Sequence, residues 1–177
     1  MRLDLYDNSA FDRGAGRFKE ALWILVKGFF FLNFFPWPSA LRVGLLRLFG
    51  AQVGRGVVVR SGVNVSFPWR LIVGDHVWIG EEVAILSLAP VTLGSHVCLS
   101  QRAYLCTGSH DWKVETFDLQ TKPIVVENQV WVAAQAFIGP GVTLGEGSVV
   151  GAGAIIMKPV PARSMARGNP AVFVPRE

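Results

Sequence analysis

The sequence predicts a mainly β protein, a parallel β-helix with a helical N-terminal segment, on three observations. From Val53 the chain divides into hexads that each open on Val, Ile or Leu. The fifth hexad position is Val, Ala or Ser throughout, with Trp69 as the exception. The six-residue beat then breaks once, at CTGSHDWKVETFDLQTKP from Cys106 to Pro123. A fixed short period marks a solenoid, and a hexapeptide period marks a parallel β-helix. Six residues match no multiple of the 3.6-residue helical turn that would hold one stripe in register, so amphipathic helices cannot produce the pattern.

Each hexad supplies one side of a triangular coil. The first-position aliphatic points into the prism. The fifth faces inward near a corner, where only a small side chain fits. Glycine, common at the second position, is expected to relieve the backbone at the turns. Coils stack through parallel-strand hydrogen bonds, and each buries the face of the next. Three hexads, VGRGVV, VRSGVN and VSFPWR, make the first coil. Leu71 and Ile72, then Val91 and Thr92, are two-residue inserts between coils. LCTGSH closes the third coil, and VENQVW resumes the beat after the break.

Around this solenoid the chain divides into residues 1–52, a helical cap; 53–161, the β-helix with an excursion at about 109–124; and 162–177, a tail that folds back. The opening MRLDLYDNSAFDRGAGRFKE is polar and does not read as a signal peptide. ALWILVKGFFFLNFF, Ala21 to Phe35, is very apolar but carries Lys27, Gly28 and Asn33. It falls short of the roughly 18 apolar residues of a membrane span. A helix packed on the core or between subunits is the first reading, and a helix lying in a membrane interface the second. Ser39 is placed to cap a short amphipathic helix that stops at Gly50.

The chain has 177 residues, 51% hydrophobic and 17% charged, which suits one globular domain. Its formal charge is +4 and its pI about 9.4. That excess fits phosphate-bearing ligands or an anionic membrane surface. No Lys/Arg run or aromatic–basic interleaving points to nucleic acid. Cys98 and Cys106 lack metal spacing and read as reduced thiols of a cytosolic protein.

A flat-walled prism has no natural pocket, so a site needs an extruded loop, a neighbouring subunit, or both. The break supplies the loop, with His110 at its foot. At this point the hexads, the GSHD step, the return KPIVVENQVWVAAQAFIGPGVTLGEGSVVGAGAII and the closing ARGNPA resemble the hexapeptide-repeat acyltransferases. PWRLIVGDHVWIGE and LCTGSHD are similar to exopolysaccharide O-acetyltransferases of the colanic-acid type. The galactoside, maltose and nodulation-factor acetyltransferases are similar more loosely.

The resemblance covers essentially the whole chain and implies a left-handed coil and a homotrimer. It implies acetyl transfer from acetyl-CoA, without a metal, to a hydroxyl of a sugar or oligosaccharide precursor at the inner face of the membrane. It assigns the general base to His110, and imidazole, with an ordinary pKa of about 6.5, suits that work at neutral pH. Asp111 either orients the imidazole or caps a turn. Coenzyme A is expected along a groove between two prisms, past Trp131, with Ala134 and Ala152 allowing close backbone approach. The Ala134 N–H is the candidate donor to the thioester oxygen, and Lys158 matches a lysine near the 3′-phosphate.

Three departures stand out. Met157 replaces a usual Thr, and Val172 replaces a usual Lys or Arg, for which Arg163, Arg167 or Arg176 are the substitutes. Ser87, assigned to acceptor binding, stands where relatives tend to carry Asn. Other readings are an amine or small-alcohol acceptor, a non-catalytic β-helix scaffold, or a metal site like that of the γ-class carbonic anhydrases. The last would need His76, His96 and His110 to converge.

Overall fold

A computed structural model describes residues 1–33 and 35–175. The hexads form three stacked sheets, one per side of the prism. The first face runs through Gln52–Val53, Leu71–Val73, Val91–Leu93, Ile124–Val126 and Thr143–Leu144. The second runs from Val58–Val59 through Trp78–Ile79, Cys98–Leu99, Trp131–Val132 and Val149–Val150 to Ser164–Arg167. The third runs through Asn64–Val65, Ala84–Leu86, Tyr104–Cys106, Phe137–Ile138 and Ile155–Ile156. All these pairings are parallel, and Val125 and Val126 pair with Thr143 and Leu144 as neighbouring coils require.

Every first-position aliphatic except Val53 is buried, from Val59 to Ile156. Two-residue strands suffice because one inward and one outward side chain per side is all a triangular coil needs. The two inserts are strand residues rather than corners. Leu71 and Val91 point inward two places before Val73 and Leu93, as Ile124 does before Val126.

The glycine expectation requires correction. The left-handed backbone falls at the fourth hexad position, where Gly56, Gly62 and Gly153 are joined by His76, Glu82, His96, Arg102 and Gln135, all with positive φ. Second-position glycines have another cause. A Cβ on Gly74 would stand 2.7 Å from the Gly94 carbonyl carbon, and one on Gly145 would stand 2.5 Å from the Ala162 nitrogen. They are glycine because successive coils touch there.

The hexad LCTGSH is also corrected. Ser109 should face inward at its fifth position, yet it is exposed. The solenoid ends earlier, at Thr107, whose hydroxyl donates to the Leu86 carbonyl at 2.6 Å. Gly108–His110 then pairs antiparallel with Leu119–Thr121, so the excursion is a β-hairpin.

Two helices precede the coils, α1 at Arg17–Phe30 and α2 at Ser39–Leu48. Trp23, Phe31, Val43, Leu46 and Phe49 close the open end of the core against Val59, Val63 and Val65. The Trp23 Nε1–H donates to the Val65 carbonyl at 2.9 Å. Among the described residues no helix is long and apolar enough to cross a membrane. Gly50 ends α2 with φ +100°, as expected. Ser39 does not cap that helix: it is the first helical residue, and its hydroxyl accepts from the Val59 N–H at 2.8 Å. The tail does fold back, because Val172–Pro175 pairs antiparallel with Ser164–Arg167. Ser164–Arg167 itself extends the second face past residue 161.

Candidate active site

The hairpin holds His110 through backbone geometry. Its Nδ1 lies 2.8 Å from the Phe117 carbonyl oxygen. Since a carbonyl only accepts, Nδ1 carries the proton in the neutral ring, and Nε2 keeps its lone pair. Phe117 adopts φ +52°, uncommon for a bulky residue, and this aims its carbonyl at the imidazole. The Phe117 ring stacks on His110 with centroids 4.2 Å apart and planes 2° from parallel. The Tyr6 ring meets the imidazole edge-on at 5.4 Å. The histidine is thus fixed in tautomer and in plane.

Asp111 takes the turn-capping alternative. Its Oδ1 accepts from the Lys113 N–H at 3.0 Å and its Oδ2 from the Gln120 side-chain amide at 3.3 Å. The imidazole is oriented instead by Phe117, which the sequence reading missed, together with Tyr6. Phe117 carried no clear signal of its own, since Trp112, Val114 and Leu119 are also apolar residues of the excursion.

Residues 1–16 form more than an end cap. The Arg2 N–H donates to the Glu115 carbonyl at 2.8 Å, and the Trp69 Nε1–H to the Arg13 carbonyl at 2.8 Å. This arm and the hairpin border a cleft of roughly 320 Å³ lined by Asp7, Asn8, Asp12, Asp118, Leu119 and Thr121 among others; His110 does not line it, but its strand partner Leu119 does. Hydrogen bonds from the Ser9 N–H and hydroxyl hold the Asp7 carboxyl below its ordinary range, so it is ionised at neutral pH.

Ser87 requires correction as an acceptor contact. It is fully buried, and its hydroxyl both accepts from the Phe67 N–H at 2.9 Å and donates to the Phe67 carbonyl at 3.0 Å. It joins two coils and presents nothing to the cleft.

Trp131, Ala134 and Ala152 gather where the second face meets the third. Trp131 is exposed because Val132 takes the inward place, and its Nε1–H donates to Ser100 Oγ at 2.9 Å. Ala134 and Ala152 stand one coil apart at equivalent turns, with the Gly153 N–H on the Ala134 carbonyl at 2.9 Å. No described residue accepts from the Ala134 N–H. Ala134 and Ala152 put only methyl groups at their two turns, so beside Trp131 a thin chain can lie against the backbone there, and the residues fit a pantetheine arm.

Lys158 lies at the other edge of the third face. It lines a cleft of roughly 270 Å³ with Ile155, Met157, Asn169, Pro170, Ala171 and Phe173. The cleft therefore joins Lys158 to the NPA step. Arg163 sits instead in the turn entering the strand Ser164–Arg167 on the second face, and Arg167 ends that strand. Arg176 lies outside the described residues. His76 and His96 stack on each other at 5.3 Å between the first and second faces, whereas His110 leaves the coil after the third. The three do not converge.

One chain thus sets His110 and Lys158 on one edge of the third face, and Trp131, Ala134 and Ala152 on the other.

Comparison with known proteins agrees with this architecture. Residues 123–158 match the model of the bacterial transferase hexapeptide, six repeats. The chain is 43% identical over 166 residues to the putative colanic acid biosynthesis acetyltransferase WcaF of Escherichia coli, covering 92% of this chain and 89% of that protein. It is 30% identical to the galactoside O-acetyltransferase of Escherichia coli, over 73% of this chain and 65% of the other. Among solved structures, the hexapeptide-repeat acetyltransferase VCA0836 of Vibrio cholerae, complexed with acetyl coenzyme A, superposes with a TM-score of 0.82 at 27% identity, covering 92% of this chain and 91% of that one. Repeat, coil geometry and near full-length similarity converge: the chain belongs to the hexapeptide-repeat acetyltransferases.

Proposed function

We propose that this enzyme transfers acetyl from acetyl-CoA to a hydroxyl of a sugar or polysaccharide precursor, as a homotrimer, with His110 as general base. The observation that carries the reading is the bond between His110 Nδ1 and the Phe117 carbonyl. It leaves Nε2 as a base of fixed direction. His110 Nε2 takes the acceptor hydroxyl proton as that oxygen forms its bond to the acetyl carbon. The Ala134 N–H donates to the thioester oxygen while negative charge builds there. As the carbon–sulfur bond breaks, the imidazolium returns its proton to the departing thiolate, and free thiol results.

The acceptor class is supported by the cleft lined by Leu119, the strand partner of His110. Carboxylates and an amide such as Asp7, Asp118 and Asn8 accept readily from a polyol. The same carboxylates attract an ammonium group, so an acceptor screen that follows thiol release includes amino sugars and simple amines. Release that depends on a sugar hydroxyl supports the proposal, and release with amines alone defeats it. Reduced Cys98 and Cys106 and a coenzyme A donor fit a cytoplasmic enzyme.

The separation of His110 and Ala134 across the third face supports the trimer. A neighbour related by closed threefold symmetry would bring the His110 edge of one prism to the Ala134 edge of the next, giving three equivalent sites. Light scattering at assay concentration is expected to show three chains. A fully active monomer would contradict the shared site.

Lys158→Ala separates binding from chemistry. The exposed lysine is assigned to the 3′-phosphate, far from the thioester. The variant is expected to raise the acetyl-CoA KM a few-fold with kcat nearly unchanged, the signature of lost uniform binding. Added salt shrinks the difference, because it screens the contact in the parent enzyme too. A donor lacking the 3′-phosphate shrinks it as well. Loss of kcat at constant KM would move Lys158 away from the phosphate.

A further inference from the structure

The helix α1 buries one side and, among the described residues, leaves the other without a partner. Phe18, Leu22, Leu25 and Phe29 follow one another at spacings of four, three and four, so they share one stripe. All four are exposed, Phe18 at 82% and Leu25 at 71%. Ile24 and Leu32 widen the stripe and are exposed too. No charged side chain interrupts it: Lys27 is turned to the opposite side, where its Nζ bonds Asn64 at 2.8 Å.

The stripe continues into an aromatic group. Trp37 packs on Phe29 at 5.7 Å, on Phe30 at 5.1 Å and on Phe35 at 4.5 Å. Beyond Trp37 lies a cleft of roughly 390 Å³ whose polar lining is Ser39, Arg42, Arg60 and Ser61. Arg42 is buried and bonds only carbonyls, those of Phe30 and Trp37 at 2.9 Å, Phe35 at 3.4 Å and Val59 at 3.5 Å. No carboxylate neutralises it, and burial, then the nearby Arg60, push its pKa below the ordinary value. Arg60 pairs with Glu81 at the rim.

We propose that this face of the N-terminal segment docks on an anionic phospholipid bilayer, with α1 lying in the plane of the membrane. Three features select that occupant. At 14 residues, α1 is about 21 Å long, too short to span a hydrocarbon core of about 30 Å, yet the stripe from Phe18 to Phe29 is wholly apolar. A Trp surrounded by Phe rings at the end of the stripe suits the headgroup level, where amphipathic rings concentrate. Residues 1–52 hold seven Lys or Arg against four Asp or Glu, so this segment, though not its apolar face, carries most of the chain's basic excess. Arg17 is exposed beside the stripe, and the cleft, lined by Arg60 at its rim and by Arg42 behind with no carboxylate on it among the described residues, is positively charged toward a headgroup phosphate. This inference does not rest on the acetyl-transfer reading.

The test is flotation of the full chain with vesicles of phosphatidylcholine alone and with about one-third phosphatidylglycerol. The parent protein is expected to float with the anionic vesicles, less with the neutral ones, and less with either at high salt. The variant Phe18→Ser/Leu25→Ser changes two exposed residues, so it folds, and it should lower partitioning by about tenfold or more. Arg17→Gln/Arg60→Gln should remove the preference for anionic vesicles. Acetyl transfer to a soluble acceptor stays unchanged in both, which separates this proposal from the proposed activity. The proposal is overturned if the parent does not float with anionic vesicles, if either variant floats as the parent does, or if Phe18→Ser/Leu25→Ser breaks the assembly in light scattering. That last result would make the stripe a contact between copies of the chain.

Discussion

His110→Ala is expected to fold and assemble normally while turnover falls by about 10²–10⁴-fold, the usual contribution of a positioned general base. The acetyl-CoA KM should change little, because nothing in the hairpin lies at the edge assigned to the pantetheine arm. Alanine also removes the ring between Phe117 and Tyr6, so a second variant isolates the chemistry. His110→Asn places an amide where Nδ1 was, keeps a donor for the Phe117 carbonyl, and supplies no basic nitrogen. It should hold the hairpin as the parent does and lose turnover as the alanine variant does. Near-parent turnover in a well-folded His110→Asn protein would sink the assignment. If only the alanine variant is impaired, the histidine is a strut for the hairpin rather than a base. Phe117 is the companion position. Its positive φ aims the carbonyl at His110, so altering the turn should disturb the base without touching it.

The solenoid was legible because its rule is local and repeated. A buried Leu or Val every sixth residue can be read without knowing any partner. Two expectations failed for the same reason, that their cause lies one coil away. Gly74 is glycine because of the Gly94 backbone, twenty residues on. Ser87 is serine because it bonds the Phe67 backbone, twenty residues back. A reading of hexads in isolation assigns the first to turn geometry, and the family resemblance assigns the second to acceptor binding; neither sees the neighbouring coil. The site was legible to the extent that it departs from the rule: the break located His110. What orients His110 was not legible, since the carbonyl of Phe117 has no signature in sequence and Tyr6 arrives from an arm more than a hundred residues away. Nor was it visible that Ala134 and His110 occupy opposite edges of one face. Hexads order the residues along the chain, but the edge of the prism on which a residue falls depends on which corner each hexad turns.

Leu144→Asp is expected to be the most damaging change to stability. Leu144 is fully buried on the first face, with Val126 on the coil before and Val160 bridged on the coil after. Its carbonyl already accepts the Glu127 N–H at 3.0 Å. A carboxylate there would face only aliphatic side chains. An unpaired charge in such a place costs on the order of 5 kcal/mol, or is protonated at a similar expense. Marginal domain stability is itself only about 5–15 kcal/mol. Because coils contact only their neighbours, the defect should loosen the coils carrying Ala134, Ala152 and Lys158 before those nearer the N-terminus. Hydrogen exchange is expected to show that order, alongside a fall in Tm of many degrees. Glu146→Ala, two residues on, is the control. Glu146 is exposed, and its backbone N–H is held by the Glu127 carboxylate rather than by its own side chain. Its effect should stay within about 0.5 kcal/mol, as for an ordinary surface substitution. Equal shifts in Tm for the two variants would mean that the hexad register places the wrong residue inside the prism.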